Sequence, residues 1–254
     1  MIDIPIGILI AVLTFASAMT ALYIQRWLPE AAKSDPVRNL IGQVSGLVSF
    51  LLAMVLGTLV GASFGFFFTQ KAQLETFASQ VLEYDQALAQ YGAETRLARA
   101  RLKEVLVTDD NLFFGQHDVD AATLTVASPL KQEAWINAFL ASLQPATGAQ
   151  KQALAKANQY AAAMEQSRLL MSLQVAGQAV PWQLVAILAL WGIALFFGYG
   201  LFAASSATTI VALAFAALSI GLAVFLIYDL RQPFTGVVRV SPAALEQAIA
   251  FMDK

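Results

Sequence analysis

Residues Leu40 to Phe68 read LIGQVSGLVSFLLAMVLGTLVGASFGFFF, 29 residues without one ionisable side chain. Small residues recur through this stretch at every fourth position, as Ser45, Ser49, Ala53, Gly57, Gly61 and Gly65. At about 1.5 Å per residue it makes roughly 43 Å of helix, more than the ~30 Å hydrocarbon core of a bilayer. The stretch therefore tilts within the membrane or runs out of it as a continuous helix. Lipid tails offer no hydrophobic drive for helix association, so a small-xxx-small ladder points to close packing in a multi-helix or oligomeric assembly.

The rest of the chain agrees with a membrane setting. Hydrophobic residues make up 58% of the 254 residues and charged ones 13%, with a mean hydropathy of +0.65. Such values lie outside the range of soluble domains. Runs long enough to span occur at Ile4 to Ile24, Leu40 to Phe68, Trp182 to Ala203 and Thr208 to Tyr228. The first lacks a basic leader region and a cleavage pattern, and is read as retained. The absence of cysteine excludes disulfides, thiolate catalysis and cysteine-bound metals. The net charge of −2, without a basic stripe, gives no reason to expect nucleic acid. Basic residues are divided almost evenly between the span flanks, and the further ones of the central segment tilt the topology towards a cytoplasmic centre and termini.

The expected fold is an all-α membrane protein with four transmembrane helices in two hairpins and a helical-bundle extramembrane domain inserted between them. Its parts are residues 1–68, the first hairpin; 69–180, the polar helical domain; 181–230, the second hairpin; and 231–254, a turn and short amphipathic helix. From Leu74, apolar residues recur as Leu74, Phe77, Val81, Tyr84, Leu88 and Tyr91, then Leu102 and Val105, a 3-4 spacing that continues the second span as a long helix. Gly92 to Thr95 is expected to break it. Helix is expected again from Lys131 to Leu143 and, after Pro145 to Gly148, up to about Val175. Ser241 and Pro242 are expected to start a last helix with Leu245, Ile249 and Met252 on one face.

Several patterns resemble chemistry. Gly61-Ala62-Ser63-Phe64-Gly65 matches a hydrolase nucleophile elbow, but the serine lies inside an apolar helix and the only histidine, His117, lies in the polar domain. No enzyme activity and no cofactor are expected. Asp109, Asp110, Asp118 and Asp120 could offer oxygen ligands to a divalent cation, yet their spacing fits no defined metal loop and a solvated loop is the default. Phe64, Phe66, Phe67 and Phe68 could form a hydrophobic constriction that gates a pore by dewetting; lipid contact and packing are the competing explanation. Tyr23, Trp27 and Trp182 suit interfacial anchors. No ionisable residue lies deep in a span, which argues against a proton relay. Arg168, Asp229 and Arg231 flank span ends and are candidate vestibule charges, with capping or snorkelling as their ordinary roles.

Gln90-Tyr91-Gly92-Ala93-Glu94-Thr95 with Arg99, the run Leu190-Trp191 through Phe197-Gly198-Tyr199-Gly200-Leu201-Phe202-Ala203, and Phe225 to Leu230 followed by Pro233-Phe234-Thr235-Gly236 and Val240-Ser241 together resemble the bacterial bestrophin-like membrane family over essentially the whole chain. Alanine stands at Ala93 where that family often has proline. The wider similarity to bestrophins implies a four-span subunit in the bacterial inner membrane, assembled as a homo-oligomer around an anion pore whose neck is lined by the second span. Phe64, Phe66, Phe67 and Phe68 are then the neck candidates, while the bestrophin calcium clasp has no clear counterpart. The expected function is an oligomeric ion channel biased to anions, with membrane lipid, inorganic ions and copies of the chain as partners. A non-conducting scaffold whose helical domain recruits a partner is the alternative, motivated by the heptad-like face from Leu74 to Val105.

Overall fold

The structure, a computed structural model, describes residues 3–29, 34–114, 127–177 and 182–252. Its helices are α1 (Asp3–Ile24), α2 (Asp35–Tyr91), α3 (Arg96–Phe114), α4 (Ala127–Ser142), α5 (Gly148–Gly177), α6 (Trp182–Phe202), α7 (Ala207–Asp229) and α8 (Ala243–Phe251), with single 3-10 turns at Gln25–Trp27 and Ala93–Thr95. No strand occurs among the described residues. Four of the helices, α1, α2, α6 and α7, are long and apolar enough to cross a membrane. The chain divides into two compact units, Met1–Gly65 with Ala179–Arg231, and Phe66–Gln178 with Gln232–Lys254.

In the first unit α1 is the element against which α6 and α7 pack. Its closest neighbours are α6 and α7, from the far end of the chain, rather than the helix that follows it in sequence. Small residues make this possible. A Cβ on Gly221 would lie 2.5 Å from the Gly7 carbonyl oxygen and 2.7 Å from the Ala11 Cβ, and one on Gly192 would lie 2.9 Å from the Thr14 Cγ2. A Cβ on Gly200 would collide with the backbone of Ala18. The Ser17 hydroxyl donates to the Ile193 carbonyl across the α1–α6 contact at 2.7 Å, and Thr14 turns its hydroxyl back to its own helix at Ile10, 2.8 Å away. Polar groups in this lipid-like interior are thus spent on backbone carbonyls. Ala18, Leu22, Leu52, Leu188, Leu195, Phe196, Leu213 and Ala217 form the buried apolar cluster. At the start of α7, Ser206 caps the helix by accepting from the Thr209 amide at 3.2 Å.

The second unit is a water-type helical core. Leu74, Phe77, Val81, Tyr84, Leu88 and Tyr91 of α2 are all buried, as their 3-4 spacing predicts. The helix ends at Gly92, whose φ of 131° is a conformation only glycine adopts without strain. Thr95 then closes the corner, its buried hydroxyl lying 2.6 Å from the Leu88 carbonyl and 2.8 Å from that of Gly92. Arg99, one turn into α3, reaches back to Asp85 with two hydrogen bonds of 2.7 Å. This bidentate pair holds α2 and α3 at the corner, with the Asp85 side chain almost fully enclosed. Beyond the break the buried register becomes Ala98, Leu102 and Leu106; Val105 is only half-buried. The break resets the helical phase, so extrapolating the α2 spacing across it misplaces the core position by one residue.

At the start of α5, Thr147 and Gln150 form a reciprocal cap: the Gln150 amide donates to the Thr147 hydroxyl at 3.1 Å, and the Gln150 side-chain oxygen accepts from the Thr147 amide at 3.2 Å. Arg101 lies over the Trp135 ring at 4.6 Å, and Trp135 stacks on Phe139. Near the C-terminal side, the turn from Gln232 is closed by Val240 donating to Pro233 at 2.8 Å. Leu245 and Ala248 of α8 are buried, with Ile249 and Met252 packed beside them.

Overpacking at the α1–α6 crossing should be costly. Gly200→Ala is expected to lower the stability of the purified protein by about 1–3 kcal/mol, because the backbone of Ala18 cannot yield as a flexible side chain would. Gly42→Ala, where a Cβ meets nothing within 4 Å, should leave the thermal unfolding midpoint in detergent unchanged or slightly raised. Equal midpoints for both variants would contradict the close-packed crossing.

Candidate functional site: the outer face of the second span

Helix α2 is the least covered of the four apolar helices. Its most apolar window is 17% buried, against 33% for α1, 28% for α6 and 22% for α7. The small-residue ladder divides along its length. Ser45 is buried, its hydroxyl 3.0 Å from where a Cβ of Gly198 would stand, and Ser49 shares a hydrogen bond of 2.7 Å with the Tyr199 hydroxyl. These two lean α2 on α6. Ala53, Gly57, Gly61 and Gly65 are exposed, and a Cβ on any of the three glycines would meet nothing within 4 Å.

The exposed positions of α2 follow a 3-4 register through Leu47, Phe50, Met54, Gly57, Gly61, Phe64 and Phe68. Successive residues of a helix are turned by about 100°, so this spacing keeps one stripe facing outward. The four phenylalanines are split by the same geometry. Phe64 and Phe68, one turn apart, are 38% and 58% exposed, whereas Phe66 and Phe67 are each 9% exposed. Phe67 and Phe68 meet edge to face, with centroids 5.8 Å apart. Only Phe64 and Phe68 belong to the outward stripe; Phe66 and Phe67 are buried.

The three candidate vestibule charges lie elsewhere. Arg231 donates from its Nε to the Ser63 hydroxyl at 3.2 Å, on the buried side of α2. Ser63 itself is fully enclosed. His117, the histidine of the chain, lies outside the described residues. Asp229 is 1% exposed at the end of α7. In the second unit, the Arg168 guanidinium stands over the Phe77 ring at 5.8 Å.

Continuing the outward register past Phe68 leads to two charges that the sequence analysis does not single out, Lys71 and Glu75. They form an i,i+4 pair with a 3.9 Å N–O separation, and their side chains are about half exposed, 48% and 56%. The signal was present in the spacing 64-68-71-75, but it crosses from the apolar run into the polar segment and so falls between two patterns read separately.

Of the acidic candidates, Asp118 and Asp120 lie outside the described residues, as does the side chain of Asp109. Asp110 is half-buried on α3, and its Oδ1 is enclosed without a hydrogen-bond partner. Burial, and secondarily the charge of Glu246, raises its pKa above the ordinary 3.8. No group of three or more metal-ligating side chains occurs among the described residues. A carboxyl whose pKa is raised by folding contributes its stability fully below the unfolded pKa and loses it as pH rises through the folded value. Asp110→Asn should therefore be more stable than the unsubstituted protein at pH 7, with the difference shrinking as pH falls towards 4. Thermal midpoints across that range test this, and a variant less stable at pH 7 would contradict it.

A family model described as Bestrophin-like domain matches residues 11–245. No curated protein and no solved structure matches the chain. The match takes in α1 from Ala11, the whole of α2, α6 and α7, the corner at Gly92 and the start of α8. The chain belongs to the bestrophin-like family.

Proposed function

We propose that the protein is a homo-oligomeric ion channel biased to inorganic anions, with α2 of each copy turned towards a shared axis and the aromatic pair Phe64 and Phe68 narrowing the path. The observation that carries this reading is the outward stripe of α2. It runs uncovered past Gly57 and Gly61 to Phe64 and Phe68, and no ionisable side chain lies between Arg38 and Lys71. An apolar stripe with bare backbone at its middle suits a path that passes ions when wet and closes when water leaves it. Membership of the bestrophin-like family supports the same reading. In this reading the neck is Phe64 and Phe68; Phe66 and Phe67 brace the helix from behind.

Purified protein in liposomes should pass chloride in preference to potassium. Phe68→Ala should raise the chloride flux about threefold or more by widening and wetting the constriction, while Phe67→Ala should act mainly on stability. Absence of flux across a range of pH and divalent-ion concentrations, together with a stoichiometric bound partner, would favour the scaffold reading instead.

We place the polar helical segment in the cytoplasm of a bacterial cell, the protein lying in the inner membrane, on the basic residues of that segment. Leu97 is 79% exposed and the chain has no native thiol. A Leu97→Cys variant should resist a membrane-impermeant thiol reagent in intact cells and react after permeabilisation; labelling of intact cells would reverse the topology.

A further inference from the structure

We propose that Lys71 is the residue that sets the anion preference of this channel, by holding a positive charge immediately beyond the aromatic constriction. The inference rests on the conducting reading above and assigns its selectivity to one side chain.

Lys71 stands three residues after Phe68 in the outward register of α2, a rise of about 4.5 Å along the helix. It is the first ionisable side chain met after Arg38, more than thirty residues earlier. Its ammonium lies 3.9 Å from the carboxylate of Glu75, one turn further along the helix. Glu75 is the only other charge on this register near the constriction, and it stands about 10.5 Å along the helix from Phe68. Lys71 is therefore the nearer of the two positions to the constriction, by about 6 Å along the helix, although the two charged groups themselves lie 3.9 Å apart.

The pairing of Lys71 with Glu75 does not cancel this asymmetry. The pair is at 3.9 Å, both side chains are about half exposed, and lysine precedes glutamate, which is the less favourable order on a helix. Such a contact is readily exchanged for a passing anion. The remaining charges considered for this role are engaged away from the stripe: Arg231 with Ser63, and Arg168 with the Phe77 ring. In an assembly of several copies about one axis, each copy adds one ammonium to the same ring, and rings of lysine favour anions.

The test is the reversal potential of the reconstituted, full-length protein under a potassium chloride gradient, comparing the unsubstituted chain with Lys71→Gln, Lys71→Glu, Lys71→Arg and Glu75→Gln. The chloride-to-potassium permeability ratio should fall about threefold or more in Lys71→Gln and further in Lys71→Glu. It should be retained in Lys71→Arg, and be unchanged or higher in Glu75→Gln. The difference between Lys71→Gln and the parent should shrink as salt rises towards 1 M, where the Debye length is about 3 Å. Both side chains are about half exposed, and an elution profile matching that of the unsubstituted protein is required of each variant. Flux with an unaltered permeability ratio in both Lys71→Gln and Lys71→Glu overturns the assignment and leaves the channel reading standing. Absence of flux from the unsubstituted protein overturns both.

Discussion

Close approach of backbones at the crossings of α1 with α6 and α7 is the constraint on which the first unit depends. In a bilayer, apolar side chains are as well solvated by lipid as by one another, so helices gain by touching closely. Gly7 against Gly221, Ala18 against Gly200 and Thr14 against Gly192 provide that touch. Each pair brings one helix within reach of the carbonyls or side chains of the next, and Ser17 adds a hydrogen bond to the Ile193 carbonyl. α1 takes α6 and α7 as its two close neighbours, and α2 joins the unit along one side, at Ser45, Ser49, Leu52 and Ser63. Its other side is left uncovered.

That division separates two uses of small residues within one unit. Glycines on α6 and α7 sit where any side chain would collide, whereas Gly57 and Gly61 on α2 have open space before them. The first kind serves the fold of the single chain. The second kind serves whatever meets the outward stripe, which we take to be the conduction path shared between copies. The partly buried hydrogen bond from Arg231 to Ser63 lies on the other side of α2 from this stripe.

Much of this was legible in the residues. Spans announced themselves by length and apolarity, and their ends fall within a few residues of α1, α6 and α7. The run of α2 through Leu74 to Tyr91 followed from unbroken 3-4 spacing, and the corner from Gly92 followed by Ala93, Glu94 and Thr95. What stayed hidden depends on partners distant in sequence. Gly7, Ala11, Thr14 and Ala18 set small residues at 4-3-4 spacing on α1, but only the positions of Gly192, Gly200 and Gly221 reveal that α1 is the packed helix. Nor does spacing alone tell which of the four phenylalanines from Phe64 to Phe68 faces outward, since that depends on which side of α2 the rest of the fold covers. The role suggested for Lys71 was obscured because a charge just outside an apolar run reads as a flank.

The central claim is that the outward stripe of α2 faces water along a conduction path rather than lipid. Single cysteines placed in turn from Ala53 to Glu75 in this cysteine-free chain, and probed in reconstituted protein with a charged, water-soluble thiol reagent, test it directly. The account predicts reaction at Gly57, Gly61, Phe64, Phe68 and Lys71 with the 3-4 period, accompanied by altered chloride flux. Protection of Gly57, Gly61 and Phe64, with reactivity beginning only near Lys71 and no change in flux, would show the stripe to be covered by lipid or protein and contradict it.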